Sequence, residues 1–215
     1  MAKKLFHVLS FSLILGISYG EAMATTISID PLRTFLLTNN DPWDGSGSVA
    51  GSLPIVLSDI GISAGDTIQL EMLGDWYDGH AGYSGDVSSM DVVSEMIGVF
   101  SSNSSLLSPT MLNRVPGAID AGIQITTWNT LFDNLSTDVP SDFGITNTIV
   151  QVPSGATHLF VAAHDIYYSD NSDPDGDFAV RITQLVAVPE PSTFFLLVLA
   201  GCALMVCLRV RPFSV

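Results

Sequence analysis

The pattern of apolar and polar positions divides the chain into two long apolar ends and a middle of short alternating runs. In the middle, Thr67-Ile68-Gln69-Leu70-Glu71-Met72-Leu73 alternates with period two behind the turn-forming Ser63-Ala64-Gly65-Asp66, which predicts a half-buried strand. Ile145–Val152 predicts another strand, stopped by Pro153-Ser154-Gly155. Thr157–Ala163 is a mostly apolar run, and Phe178–Ile182 alternates again. Weaker candidates are Thr25–Ile29, Leu32–Leu37, Pro54–Leu57, Met96–Phe100 and Ala121–Trp128. The segments Asp75–Asp91 and Ser101–Ala118 read as long loops with room for a helical turn. About eight or nine short strands between Gly-, Asn-, Asp- and Ser-rich loops predict an all-β protein, an antiparallel β-sandwich. The expected domain covers residues 25–187, with no internal repeat and no second-domain boundary.

The two ends follow different rules. Lys3 and Lys4 precede an apolar stretch to about Tyr19, and Ala22-Met23-Ala24 follows. A positive start, a short apolar core and small residues at −3 and −1 predict a signal peptide over residues 1–24, cut after Ala24 by signal peptidase. Its core is too short to span a bilayer, which takes about 20 apolar residues. At the other end, Val188-Pro189-Glu190-Pro191-Ser192-Thr193 leads into the uncharged Phe194–Leu208, and Arg209 and Arg211 close it. That segment predicts a transmembrane helix over about 192–208 with its arginines on the cytoplasmic side of the inner membrane.

Pro189-Glu190-Pro191, the apolar helix and the terminal arginines together resemble the PEP-CTERM sorting signal of Gram-negative bacteria, over residues 188–215. The resemblance implies that an exosortase reads Pro189, Glu190 and Pro191 at the membrane. It also implies a place at the cell surface or in the extracellular matrix, in association with exopolysaccharide or biofilm. The two prolines hold an extended backbone that cannot join the following helix, so a membrane enzyme can read it outside the bilayer.

Charge narrows the function. The formal net charge is −15, and Thr25–Val188 alone holds twenty acidic residues against Arg33, Arg114 and Arg181, with no lysine, for −17. Neutralising phosphates takes a basic surface, so a nucleic-acid partner is excluded. An acidic surface approaches anionic polysaccharide only through a bridging cation, which makes a divalent metal the natural partner. Cys202 and Cys207 both lie in the C-terminal apolar run, so the domain between the ends holds no disulfide.

The stretch Leu53–Gln184 is similar to small calcium-dependent galactophilic lectins of the jelly-roll type. The similarity runs through Gly74-Asp75-Trp76, Val152-Pro153-Ser154-Gly155, Ala163-His164-Asp165 and Asp170-Asn171. It implies a jelly-roll-like sandwich in which Asp165 opens a calcium loop and Asp170 and Asn171 supply a ligand pair, with a carbonyl near the end of the Gly-x-Trp-type strand. Here the gap before the pair is shorter, and an additional Asp173-Pro-Asp175-Gly-Asp177 follows it. The family's sugar-contacting His and Gln segment has no counterpart.

Asp165–Asp177 packs Asp165, Asp170, Asn171, Asp173, Asp175 and Asp177 into thirteen residues. Calcium takes about six to eight oxygen ligands, and alternating acids supply several on one face. Asn171-x-Asp173-x-Asp175-Gly176 opens like an EF-hand loop, but its twelfth position is Ile182 and no helices flank it, so an EF-hand is excluded. Two readings stand. Asp165, Asp170, Asn171, Asp173 and Asp175 are calcium ligands, or the acids are solvated turn formers. Asp75, Asp78, His80 and Asp86 form a second polar loop that either joins such a site or is simply solvated, the solvated reading being preferred.

Catalytic chemistry finds little support. His158 falls inside an alternating strand, and His164 and Asp165, as strand neighbours, face opposite ways and make no dyad. There is no nucleophile elbow, phosphate-binding loop or zinc spacing. Trp43, Trp76 and Trp128 suit core or rim packing better than sugar stacking. The expected protein is therefore noncatalytic and exported, with a calcium-dependent carbohydrate-binding module as the first alternative. A secreted polysaccharide hydrolase, which needs two opposed carboxylates, is the second.

Overall fold

The computed structural model describes residues 23–38, 49–79, 91–123, 139–165 and 167–185. The chain divides into the body Ala22–Val186 and a unit made of Met1–Glu21 and Ala187–Val215, the latter lying wholly outside the described residues. Ala22 of the cleavage motif, the sorting residues Pro189, Glu190 and Pro191 and the expected membrane helix therefore fall outside the description, as do Trp43, His80, Asp86 and Trp128. Among the described residues, no helix is long and apolar enough to cross a membrane.

The described body is all-β. Its strands are β1 (Ala24–Ser28), β2 (Ile55–Val56), β3 (Thr67–Leu73), β4 (Trp76–Asp78), β5 (Asp91–Val93), β6 (Met96–Ser101), β7 (Ala118–Ile119), β8 (Phe143–Ile145), β9 (Asn147–Gln151), β10 (His158–Ala163) and β11 (Ala179–Gln184). One antiparallel sheet runs β1-β11-β3-β9, and a second runs β2-β10-β6-β7 with β8 also on β6. β4 and β5 form a two-stranded ribbon.

The period-two pattern explains most of this. In β3, Ile68 and Leu70 are fully buried while Gln69 and Glu71 are half exposed, and β9 buries Thr148 and Val150 but exposes Ile149 and Gln151. The turn into β3 is held by Ser63 N–H donating to Asp66 Oδ2 at 2.8 Å. Every residue of β6 is buried, so that strand is covered on both faces. A single apolar cluster draws Ile68, Leu70, Val150, Val180 and Ile182 from the first sheet and Ile55, Ile97, Val99, Phe100 and Phe160 from the second. Phe100 and Phe143 stack with ring centroids 5.6 Å apart.

Four expectations are corrected. Leu32–Leu37 is no strand. The Asp30 carboxylate accepts Leu32 N–H at 3.0 Å and starts a turn, and among the described residues the segment's one ladder contact is a bridge between Thr34 and Gly51. Pro54–Leu57 yields only the two-residue β2 before a 3₁₀ turn over Leu57–Ile60. Ala121–Ile123, the described part of the Ala121–Trp128 run, is not extended into a strand, and the preceding β7 pairs with β6 instead. The supposed loop Asp75–Asp91 opens with β4 and closes into β5, without a helical turn in its described part.

Candidate functional site

The acids of interest lie around β4. Gly74 (φ +65°) turns the chain from β3 into it, and a Cβ there would collide with the Asp177 carboxylate. Trp76 is buried, and its indole N–H donates to Glu95 O at 3.0 Å. β5 lies along one edge of β4. On its other edge, Tyr77 and Ser172 exchange backbone hydrogen bonds of 2.9 and 3.0 Å, and Gly79 N–H donates to Asp170 O at 3.2 Å. A Cβ on Gly79 would stand 2.5 Å from that same oxygen, so glycine is what lets the strands close up there.

Two buried side chains anchor the loop after β10, one to the end of β10 and one to the Asp30 turn, while its Asp170–Ser172 backbone pairs with β4. Tyr168 donates its hydroxyl to Ala163 O at 3.0 Å, and Asn171 donates its amide to Pro31 O at 3.2 Å. Both residues are at least nine-tenths buried, at 0% and 4% exposure. The anchoring sets Asp165 and Asp170 beside Asp78, with one carboxylate oxygen from each of the three lying within 4.8 Å of the others. All three residues are half-buried. The Asn171 Oδ1, one residue on, is buried without a hydrogen-bond donor.

At the opposite end of β4 a second group forms from Asp173, Asp175 and Asp177, again with oxygens within 4.8 Å. Its members differ in role. Asp173 accepts Gly176 N–H at 2.9 Å and Phe178 N–H at 3.3 Å, so both of its oxygens shape the turn into β11. Asp175 and Asp177 are exposed, and Asp177 Oδ1 accepts Asp75 N–H at 3.2 Å. Asp75 completes this end. Burial, and then repulsion from Asp177, Asp175 and Asp173, pushes its carboxyl above the usual range.

The five ligands expected from the sequence are thus divided between two places. Asp165 and Asp170 meet each other, Asp173 and Asp175 belong to the second group, and Asn171 turns its amide to Pro31 O. Asp78 is the residue that sequence reasoning set aside as solvated. The signal that would have found it is the Gly-Asp-Trp turn, which ends β3 and returns the chain beside the acidic loop. His164 makes no dyad with Asp165. Its Nδ1 meets Glu95 Oε2 at 2.8 Å, and its backbone N–H donates to Glu95 O at 3.2 Å.

No family model, curated protein or solved structure matches the chain. Two oxygens that each sit about 2.4 Å from one calcium ion are at most about 4.8 Å apart. The Asp78, Asp165 and Asp170 oxygens satisfy that bound together, and among the described residues the group is of hard carboxylate donors, which suit calcium better than zinc or copper.

The sign of the Asp75 shift gives a prediction for the metal-free protein. A carboxyl with a raised folded-state pKa favours folding below its unfolded value near 3.8, and that contribution is lost as pH rises through the folded value. At neutral pH the ionised Asp75 is consequently a burden. Asp75→Asn is expected to raise the melting temperature of the calcium-free protein at pH 7 by about 1–3 °C, and to have no such effect at pH 3.5. Calorimetric scans at the two pH values check it.

Proposed function

We propose that this chain is an exported, noncatalytic surface or matrix protein whose body is a jelly-roll-like sandwich with a calcium site at the β4 end. The convergence of Asp78, Asp165 and Asp170 carries the reading. Three carboxylates from segments almost ninety residues apart in the chain lie within one ion's reach, and buried anchors fix the loop that carries two of them. Such a cluster repels itself without a cation, and a bound cation turns that repulsion into affinity. The sandwich is supported by two antiparallel sheets that share one apolar core. The body's arginines are already engaged. Arg33 pairs with Asp30 at 3.2 Å, Arg181 with Glu71 at 2.9 Å, and Arg114 donates to backbone carbonyls. Bound calcium would then be the means of meeting anionic polysaccharide, with an exosortase placing the protein in that matrix.

Equilibrium dialysis against ⁴⁵Ca tests the site: at least one ion per chain is expected at millimolar calcium, and none would leave the acids as solvated turns. For the sorting part, Glu190→Ala in an exosortase-bearing Gram-negative host is expected to leave the chain unprocessed in the inner membrane. Normal processing of that variant would contradict it.

A further inference from the structure

The residues on both sides of the expected signal-peptide cut are part of the folded sheet. Ala24 opposes Thr183 and Thr25 opposes Ile182 in the β1–β11 ladder, and Gln184 N–H donates to Met23 O at 3.0 Å. The ladder continues to Ile29, whose N–H donates to Phe178 O at 2.9 Å. A protease takes its substrate as a free extended segment, so a scissile bond whose flanks are already hydrogen-bonded to another strand is withheld from it.

β1 is also the strand best suited to docking late. Among the described residues it lies at the edge of its sheet and pairs with β11 alone. Its residues alternate between exposed and half-buried, none of them fully buried, so besides the packing of Ile27 on the core it is held by the ladder. Its partner is the last strand of the body, so the ladder cannot form until residues 179–184 have followed the rest of the chain.

We infer that the folded body protects its own N-terminal processing site, so that signal peptidase cuts after Ala24 only before β1 docks on β11. The inference rests on the reading of residues 1–24 as a cleaved signal peptide. Once the cut is made, Thr25 begins the strand and β1 closes the sheet.

The test uses the full-length precursor in detergent with purified signal peptidase, either diluted directly from urea into the enzyme or refolded first. The refolded chain is expected to be cut at least ten-fold more slowly. Ile27→Pro removes a backbone N–H that strand alternation turns toward β11, as it does that of Ile29, and this side chain is only half-buried. The refolded I27P precursor is therefore expected to be cut as fast as the freshly diluted wild-type chain. Equal rates for fresh and refolded wild-type precursor would overturn the inference. So would a refolded I27P chain that stays protected while far-ultraviolet circular dichroism shows a native body, because the protection would then not come from β1. Failure to cut even the freshly diluted chain would remove the signal-peptide reading itself.

Discussion

Calcium at 1 mM is expected to raise the melting temperature of the protein by about 5–10 °C, and excess EDTA to reverse the rise. The size follows from linkage. An ion held with a Kd of about 10 μM, within the range that carboxylate-rich loops reach, stabilises the folded state by about 2.7 kcal/mol at a hundred-fold excess. For a body of this size each kcal/mol moves the midpoint by roughly 2–4 °C. Magnesium at the same concentration is expected to do much less, because it demands near-ideal octahedral geometry and gives up its water reluctantly. The loop that gains most is the one pinned by Tyr168 and Asn171, since its acids repel one another in the metal-free state. A melting temperature indifferent to calcium would mean that three half-buried carboxylates stand together without using a cation.

The second large effect concerns Arg114, the buried arginine of the body, at 3% exposure. Its guanidinium donates to Leu107 O at 3.3 Å, Thr34 O at 3.4 Å and Leu36 O at 2.5 Å. It thereby ties the long loop after β6 to the turn segment that carries the fully buried Phe35 and Leu36 into the core. Arg114→Met keeps the apolar stem but removes the donor to Leu36 O and Leu107 O, while Thr34 O keeps the Ser52 N–H at 3.0 Å, and each buried group left unpaired costs about 1–3 kcal/mol. The expected loss is about 2–4 kcal/mol, or roughly 4–16 °C in melting temperature. Arg114→Lys is expected to recover only part of it, because an ammonium cannot present the planar fork that spans separate acceptors. Urea unfolding of the two variants measures both; a loss under about 1 kcal/mol for the methionine variant would show that water or relaxation satisfies the carbonyls.

Where the pattern was strong, the fold was legible. Thr67–Leu73 alternates cleanly between turn residues, and β3 has those bounds. Met96–Phe100, Thr157–Ala163 and Phe178–Ile182 lie on β6, β10 and β11 to within a residue or two at each end. Leu32–Leu37 misled because an apolar run reports burial and not conformation. Phe35, Leu36 and Leu37 are buried, but through turns that Asp30 starts. β4 was illegible for the opposite reason. Trp76–Asp78 is three residues long with an acid at its end, and part of what holds it extended is Ser172, far along the chain. The same non-local pairing decides the site. That acids crowd Asp165–Asp177 is plain in the sequence, but their division between the two ends of β4 depends on which strand the loop lies against. Asp173 accepts two backbone N–H groups in its turn and stands with Asp175 and Asp177, whereas Asp78, read first as solvated, stands with Asp165 and Asp170.

The central claim is that these three carboxylates act as one calcium site, and Asp78 is the member on which it can fail. Isothermal titration of calcium into the wild-type protein, Asp78→Asn, Asp165→Asn and the surface control Asp120→Asn compares them directly. Loss of at least ten-fold in affinity is expected for both site variants, with Asp120→Asn unchanged. Wild-type affinity in Asp78→Asn, alongside a weakened Asp165→Asn, would contradict the account.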